Sequence, residues 1–210
     1  MKFNASAPLS RAKARRRGER PQRGFTLLEL VIVLGVIIFA VVVLLLGVRG
    51  LKEQMNTSTT LRQVAQIKLN IAGLGSGDPT SLAKLKTATA IKLGAFPKES
   101  ISGDMVSNPF GGQIFTIGLE KAMPPLLAGK AFAISYTKIP KTQCAALAGN
   151  FATMAEAVWV DTTTTEPTGV PEGSKMLKAP GSQGVIDLAA IAAQCSPSGP
   201  DVTIHALMVP

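Results

Sequence analysis

The chain has 210 residues, 46% of them hydrophobic, with 22 Lys/Arg against 13 Asp/Glu, one histidine and two cysteines. That is room for one membrane segment and one globular domain with a core of its own, and it excludes a multi-domain enzyme. With His205 the lone histidine and no GxSxG, HExxH, P-loop or dinucleotide pattern, acid–base, metal and nucleotide chemistry lack parts; no enzyme activity, cofactor or metal site is expected.

The net charge of +9 is unevenly spread: residues 1–24 hold eight of the basic residues and one of the acidic ones, which leaves 14 against 12 in the other 186. The block RAKARRRGERPQR stands directly before an apolar run, so it reads as a cytoplasmic retention signal under the positive-inside rule. The remaining +2, without a basic stripe of interleaved aromatics, argues against direct nucleic-acid binding.

From Leu30 to Val48 there are 19 uncharged residues, and counting from Phe25 gives 24, about 36 Å as a helix. That spans a bilayer, and neither the length nor the flank GVRGLKEQ suits a cleaved secretory signal. Glu29 sits near the start of this run. A carboxylate inside hydrocarbon costs a few kcal/mol and is kept for a partner; the plain alternative is a glutamate snorkelling at the membrane edge.

Beyond the run, KEQMNTSTTLRQVAQIKLNIAGLG places Met55, Leu61, Val64, Ile67, Leu69 and Ile71 as one apolar face. GLGSGDP ends the helix. The reading is one helix from Phe25 to about Leu74, about 75 Å long. A shorter helix is predicted from about Thr80 to Leu93, packing Leu82, Leu85, Ile91 and Leu93 with its lysines in solvent.

Short β-rich runs follow, bounded by Gly and Pro: Ile114–Leu119, Ala131–Thr137, Ala157–Asp161 and VTIHALMV near the C-terminus. TQCAALAGNFATMAEA reads as a helix carrying Cys144, and VIDLAAIAAQC as one ending at Cys195. The fold class is α+β, a long helix on a mostly antiparallel sheet. Val160–Gly184, rich in Thr, Pro, Gly and Ser, reads as a surface loop. Both cysteines lie on the side that the apolar run sends across the membrane. A disulfide between them is the default there, closing about 51 residues, with metal binding the weaker alternative.

The basic leader ending in Gly24, then Phe25-Thr26-Leu27-Leu28-Glu29 and a long apolar helix, resembles the prepilin signature of type IV pilins and pseudopilins. SNPFGGQIFTI (107–117) and GKAFAISYTKIPKTQCAAL (129–147) resemble type IVb major pilins, the group of the toxin-coregulated and conjugative thin-pilus pilins. The resemblance implies removal of residues 1–24 by a prepilin peptidase after Gly24 and N-methylation of Phe25. It implies a transmembrane and filament-core helix over 25–48, its amphipathic continuation over 49–74, and a head over 75–210 with a D-region closed by Cys144 and Cys195. Glu29 would meet the amine of a neighbouring subunit.

The partners so implied are copies of the chain, the peptidase and methyltransferase, an inner-membrane platform and a separate ATPase. The chain would wait in the inner membrane with its N-terminus cytoplasmic, then enter an extracellular pilus. Phe25 as first mature residue, and an apolar helix without proline, depart from the type IVb and type IVa patterns respectively. A pseudopilin of a type II secretion system is the alternative.

Overall fold

The computed structural model describes residues 26–75, 81–170, 176–182, 186–196 and 199–210. The chain divides into two units, Met1–Leu46 and Gly47–Pro210. One helix, α1, runs Leu27–Gly75. In the first unit it starts at Thr26, whose carbonyl accepts from the Leu30 N–H at 3.2 Å.

The second unit is built on a five-stranded antiparallel sheet of order β3-β4-β7-β5-β6. Its strands are β3 Ile114–Gly118, β4 Phe132–Pro140, β5 Ala157–Asp161, β6 Met176–Lys178 and β7 Asp201–Met208. A small hairpin, β1 Ile101–Ser102 with β2 Met105–Val106, stands apart from it. The helices α2 Thr87–Lys92, α3 Lys141–Met154 and α4 Leu188–Gln194 complete the head.

Strand alternation sends Phe132, Ile134 and Tyr136 of β4, with Ile204, Ala206 and Met208 of β7, into the main core beside Val64, Ile67 and Ile71 of α1. Ala133 and Leu207 point the other way, into a second cluster with Ile117, Leu119, Ala157 and Trp159. Both faces are covered, which is why AFAISY reads as a nearly unbroken buried run instead of a polar–apolar alternation.

On α1 the buried positions are Thr60, Val64, Ile67 and Ile71, spaced four, three and four, with Leu61 packed at the margin. Met55 and Leu69, expected on this face, are instead 67% and 72% exposed. The reason is angular: at about 100° per residue, Leu69 stands some 200° from both Ile67 and Ile71.

The helix expected over Thr80–Leu93 is broken. A 3-10 turn, Ser81–Lys84, is followed by an extended Lys86 bridged to Ile117, and only then by α2. The edge of β3 dictates the break, because its backbone groups need partners. Gly118 N–H donates to Leu85 O at 2.8 Å, and Thr116 N–H to Thr87 Oγ1 at 3.0 Å. Leu82 and Leu85 are buried as expected, but Leu93 lies past the end of α2 and is 51% exposed. The lysines of this segment, Lys84, Lys86 and Lys92, are exposed as expected.

The ends of α3 are completed from other elements. Pro140 at its N-cap offers no side-chain cap. Glu53 of α1 supplies a carboxylate there, its Oε2 accepting from Gln143 Nε2 at 2.8 Å and Thr142 Oγ1 at 3.4 Å. At the C-terminal end, Lys178 of β6 donates to the carbonyls of Ala152 at 2.9 Å and Ala155 at 2.7 Å. An anion at the head and a cation at the tail both complement the helix dipole.

The motif NPFGG is a turn nailed to β4. Asn108 Nδ2 donates to Thr137 O at 2.7 Å, while its Oδ1 accepts from the amides of Phe110 at 2.9 Å and Gly112 at 3.0 Å. A Cβ on Gly112 would collide with the Thr137 carbonyl. Gly112→Ala should therefore destabilise the head by about 1–3 kcal/mol, read as a lower urea midpoint for the full chain in detergent.

Candidate functional site

Leu27–Leu45 is a 19-residue stretch of mean hydropathy 3.2 with none of its surface buried inside the protein. Its one ionisable side chain is Glu29. Glu29 N–H donates to Thr26 Oγ1 at 3.3 Å, so Thr26 caps the helix and Glu29 stands third in the first turn. A carboxylate is favoured there by the helix dipole, and Thr-x-x-Glu is the capping-box spacing. That pattern was legible in FTLLE, and it gives Glu29 a local role that its membrane setting alone does not suggest. Gly24 and Phe25 lie outside the described residues.

Cys144 lies in α3 and Cys195 directly after α4; the two are bonded, with Cα atoms 5.7 Å apart. Both are buried. The closed segment contains α3 from Cys144 onward, β5, β6 and α4. Val160–Gly184, expected to be a loop throughout, carries the three-residue strand β6, whose pairing to β5 no local sequence signal marks. The described loop is fixed at several points, among them a bond from the Thr203 hydroxyl to Thr163 O. Asp161 Oδ1 accepts from Thr163 N–H at 2.8 Å, and Glu166 Oε1 accepts from the Thr87 hydroxyl at 2.7 Å.

His205 organises a polar array on the sheet face turned away from α1. In register it lies opposite Ser135 on one side and Trp159 on the other. Its Nδ1 is 2.7 Å from Ser135 Oγ, and its ring stacks on Trp159 with centroids 4.9 Å apart and planes 2° from parallel. Nε2 lies 3.2 Å from Asp161 Oδ1, close but poorly aligned for a hydrogen bond.

The order Ser135–His205–Asp161 is that of a hydrolase relay. Ser135 is fully buried, and the array ties β4 and β5 to β7 across the sheet. Beside it opens a cleft of about 470 Å³ between Asp161, Glu166 and Thr168. Burial works to raise the Asp161 carboxyl, but contact with His205 and hydrogen bonds from Thr163 outweigh it and hold the group below its ordinary value.

A family profile described as PilS N terminal matches residues 54–206. Among solved structures, TcpA, a type IV pilin of Vibrio cholerae El Tor, shares the fold with a TM-score of 0.51 at 16% identity, over 73% of this chain and 98% of that one. The chain belongs to the PilS family of pilins. The toxin coregulated pilin of Vibrio cholerae is 33% identical to this pilin over 132 residues, 60% of this chain. The pilin thus spans 56% of the length of that relative. A type IV b pilin from Salmonella typhi covers 71% of the chain at 15% identity, with a TM-score of 0.47.

Two outcomes follow for the pilin head. Replacing Cys144 and Cys195 by serine should cost roughly 4 kcal/mol, the chain-entropy value for a closure of this size, read by urea unfolding with and without reductant. Asp161 has a lowered folded-state value, so its contribution is present above the unfolded carboxylate value of about 3.9 and is lost as pH falls through the folded one. The stability gap between wild type and Asp161→Asn should therefore narrow below about pH 4 in unfolding measurements run as a pH series.

Proposed function

We propose that this pilin is the repeating subunit of a type IVb pilus. It waits in the inner membrane with its basic leader in the cytoplasm, is cut after Gly24, is methylated on Phe25, and is drawn into a helical surface filament. The observation that carries the reading is Glu29, one carboxylate at the head of a 19-residue apolar helix with none of it covered. A helix of that kind needs apolar neighbours along its length and a cation near its first turn. A second copy supplies both: its own apolar helix, and the amine created by the cut before Phe25.

Peptidase, methyltransferase, membrane platform and ATPase are separate partners in this scheme, and the pilin contributes packing surface and the register set by Glu29. A contact that repeats without closing builds an open helix. The Thr-rich loop after Asp161 then stands on the outer surface, where adhesion, aggregation or conjugation is served. Membership of the PilS family favours this over the pseudopilin reading.

Glu29→Ala should insert, be processed and keep its disulfide, yet yield at least tenfold less filament in the sheared surface fraction; Glu29→Gln tests whether the charge is what matters. An undiminished yield from Glu29→Ala would refute the register role. N-terminal sequencing of sheared wild-type material should begin at Phe25.

A further inference from the structure

The loop that follows β5 encloses, with His205 and Trp159, a cleft of about 470 Å³. That volume falls in the range of small-molecule sites, roughly 300–1,000 Å³. Two carboxylates, Asp161 and Glu166, line it, and none of its lining residues is a lysine or arginine.

Each carboxylate is held in place by one oxygen. Asp161 Oδ1 accepts from Thr163 N–H at 2.8 Å; Glu166 Oε1 accepts from the Thr87 hydroxyl at 2.7 Å and from Thr87 N–H at 3.3 Å. The Asp161 side chain is still 40% exposed, and Glu166 Oε2 takes no hydrogen bond among the described residues. Neither acid pairs with a lysine or arginine there. His205 supplies an independent sign of an occupant. It is 1% exposed, it lines the cleft, and its Nε2 has no well-aligned hydrogen-bond partner. Buried ring nitrogens are ordinarily bonded, and one left open beside a cleft marks a place that an outside group completes.

The lining selects the chemistry of that group. The indole of Trp159 is 3% exposed and already stacked on His205, so it offers no open ring face to a sugar. Among the described residues no three His, Cys, Asp or Glu side chains gather to hold a metal ion. The cleft therefore presents two negative charges beside the apolar surface of Pro167 and Val170. A short alkyl chain with an ammonium at each end matches both features, because each ammonium brings three N–H donors to a carboxylate while the methylenes rest on the apolar wall.

We propose that this cleft binds a small linear di- or polyamine, with Asp161 and Glu166 taking its ammonium groups. The site lies within the head and does not depend on the filament reading.

Trp159 is the one tryptophan of the chain, so its emission reads the cleft directly. With the full chain in detergent micelles, 1,4-diaminobutane should give a saturable signal in that emission or in the heat of a calorimetric titration, with half-saturation at or below about 1 mM. Asp161→Asn and Glu166→Gln should each raise the half-saturation concentration at least fivefold. Asp104→Asn, an exposed acid on the turn between β1 and β2, should leave it within twofold. Thr168→Lys, at an exposed lining position, brings its own ammonium to the cleft and should abolish the signal with the urea midpoint unchanged, which covers an acid variant that loosens the loop.

A saturable signal weakened in both acid variants and abolished in Thr168→Lys supports the site. No saturable signal by either method, or an equal one from 1,4-butanediol or calcium chloride, would overturn it. So would a half-saturation unmoved by both acid variants, one moved as far by Asp104→Asn, or a signal kept in full by Thr168→Lys. Each of these leaves the filament reading standing.

Discussion

Burial of Val64, Ile67 and Ile71 of α1 against the sheet is the contact from which the rest of the head follows. Each is at most 1% exposed, and full burial of such a side chain stabilises by roughly 1.5–3 kcal/mol. The contact fixes which side of α1 faces inward, and so which side is left to other molecules. β4 and β7 pair inside the sheet and send large apolar residues into the same core. Once one face is committed to the helix, the opposite one needs its own cover, which the chain between β3 and β4 and the segment around Val170 provide.

Polar groups in this interior are matched by reach across the fold. Asn108, Glu53 and Lys178 each serve backbone or side-chain groups on an element distant in sequence. That ties the turn before β3, the start of α3 and its end to elements distant in sequence. Tyr136 is an exception: its hydroxyl is buried without a partner among the described residues, and burial pushes its ionisation well above the ordinary tyrosine range. The ring earns its place by packing, 5.6 Å from Phe151.

The parts of this design legible in the sequence are those carried by local periodicity. The apolar half of α1, the four longer strands and α3 were read correctly because composition or spacing alone marks them. The disulfide followed from compartment logic, and the structure bears it out. The differences have more than one cause. Met55 and Leu69 lie off the inner face because angle, not apolar type, decides which side of a helix a residue takes. The break before α2 and the short strand β6 depend on edge pairing to residues far along the chain, which no window contains. His205 gave no signal either, because Ser135, Trp159 and Asp161 become its neighbours only through strand register.

The same accounting separates positions that can change from positions that cannot. Thr162, Thr164 and Thr165 are exposed, while the bonds that hold their loop are made by Asp161, Thr163 and Glu166. Substitution at the three exposed threonines removes none of those bonds, so the loop can alter its chemistry without altering its anchorage. Gly112 and Gly118 have no such freedom, because a Cβ at either would strike a backbone carbonyl of β4 or of the turn before α2.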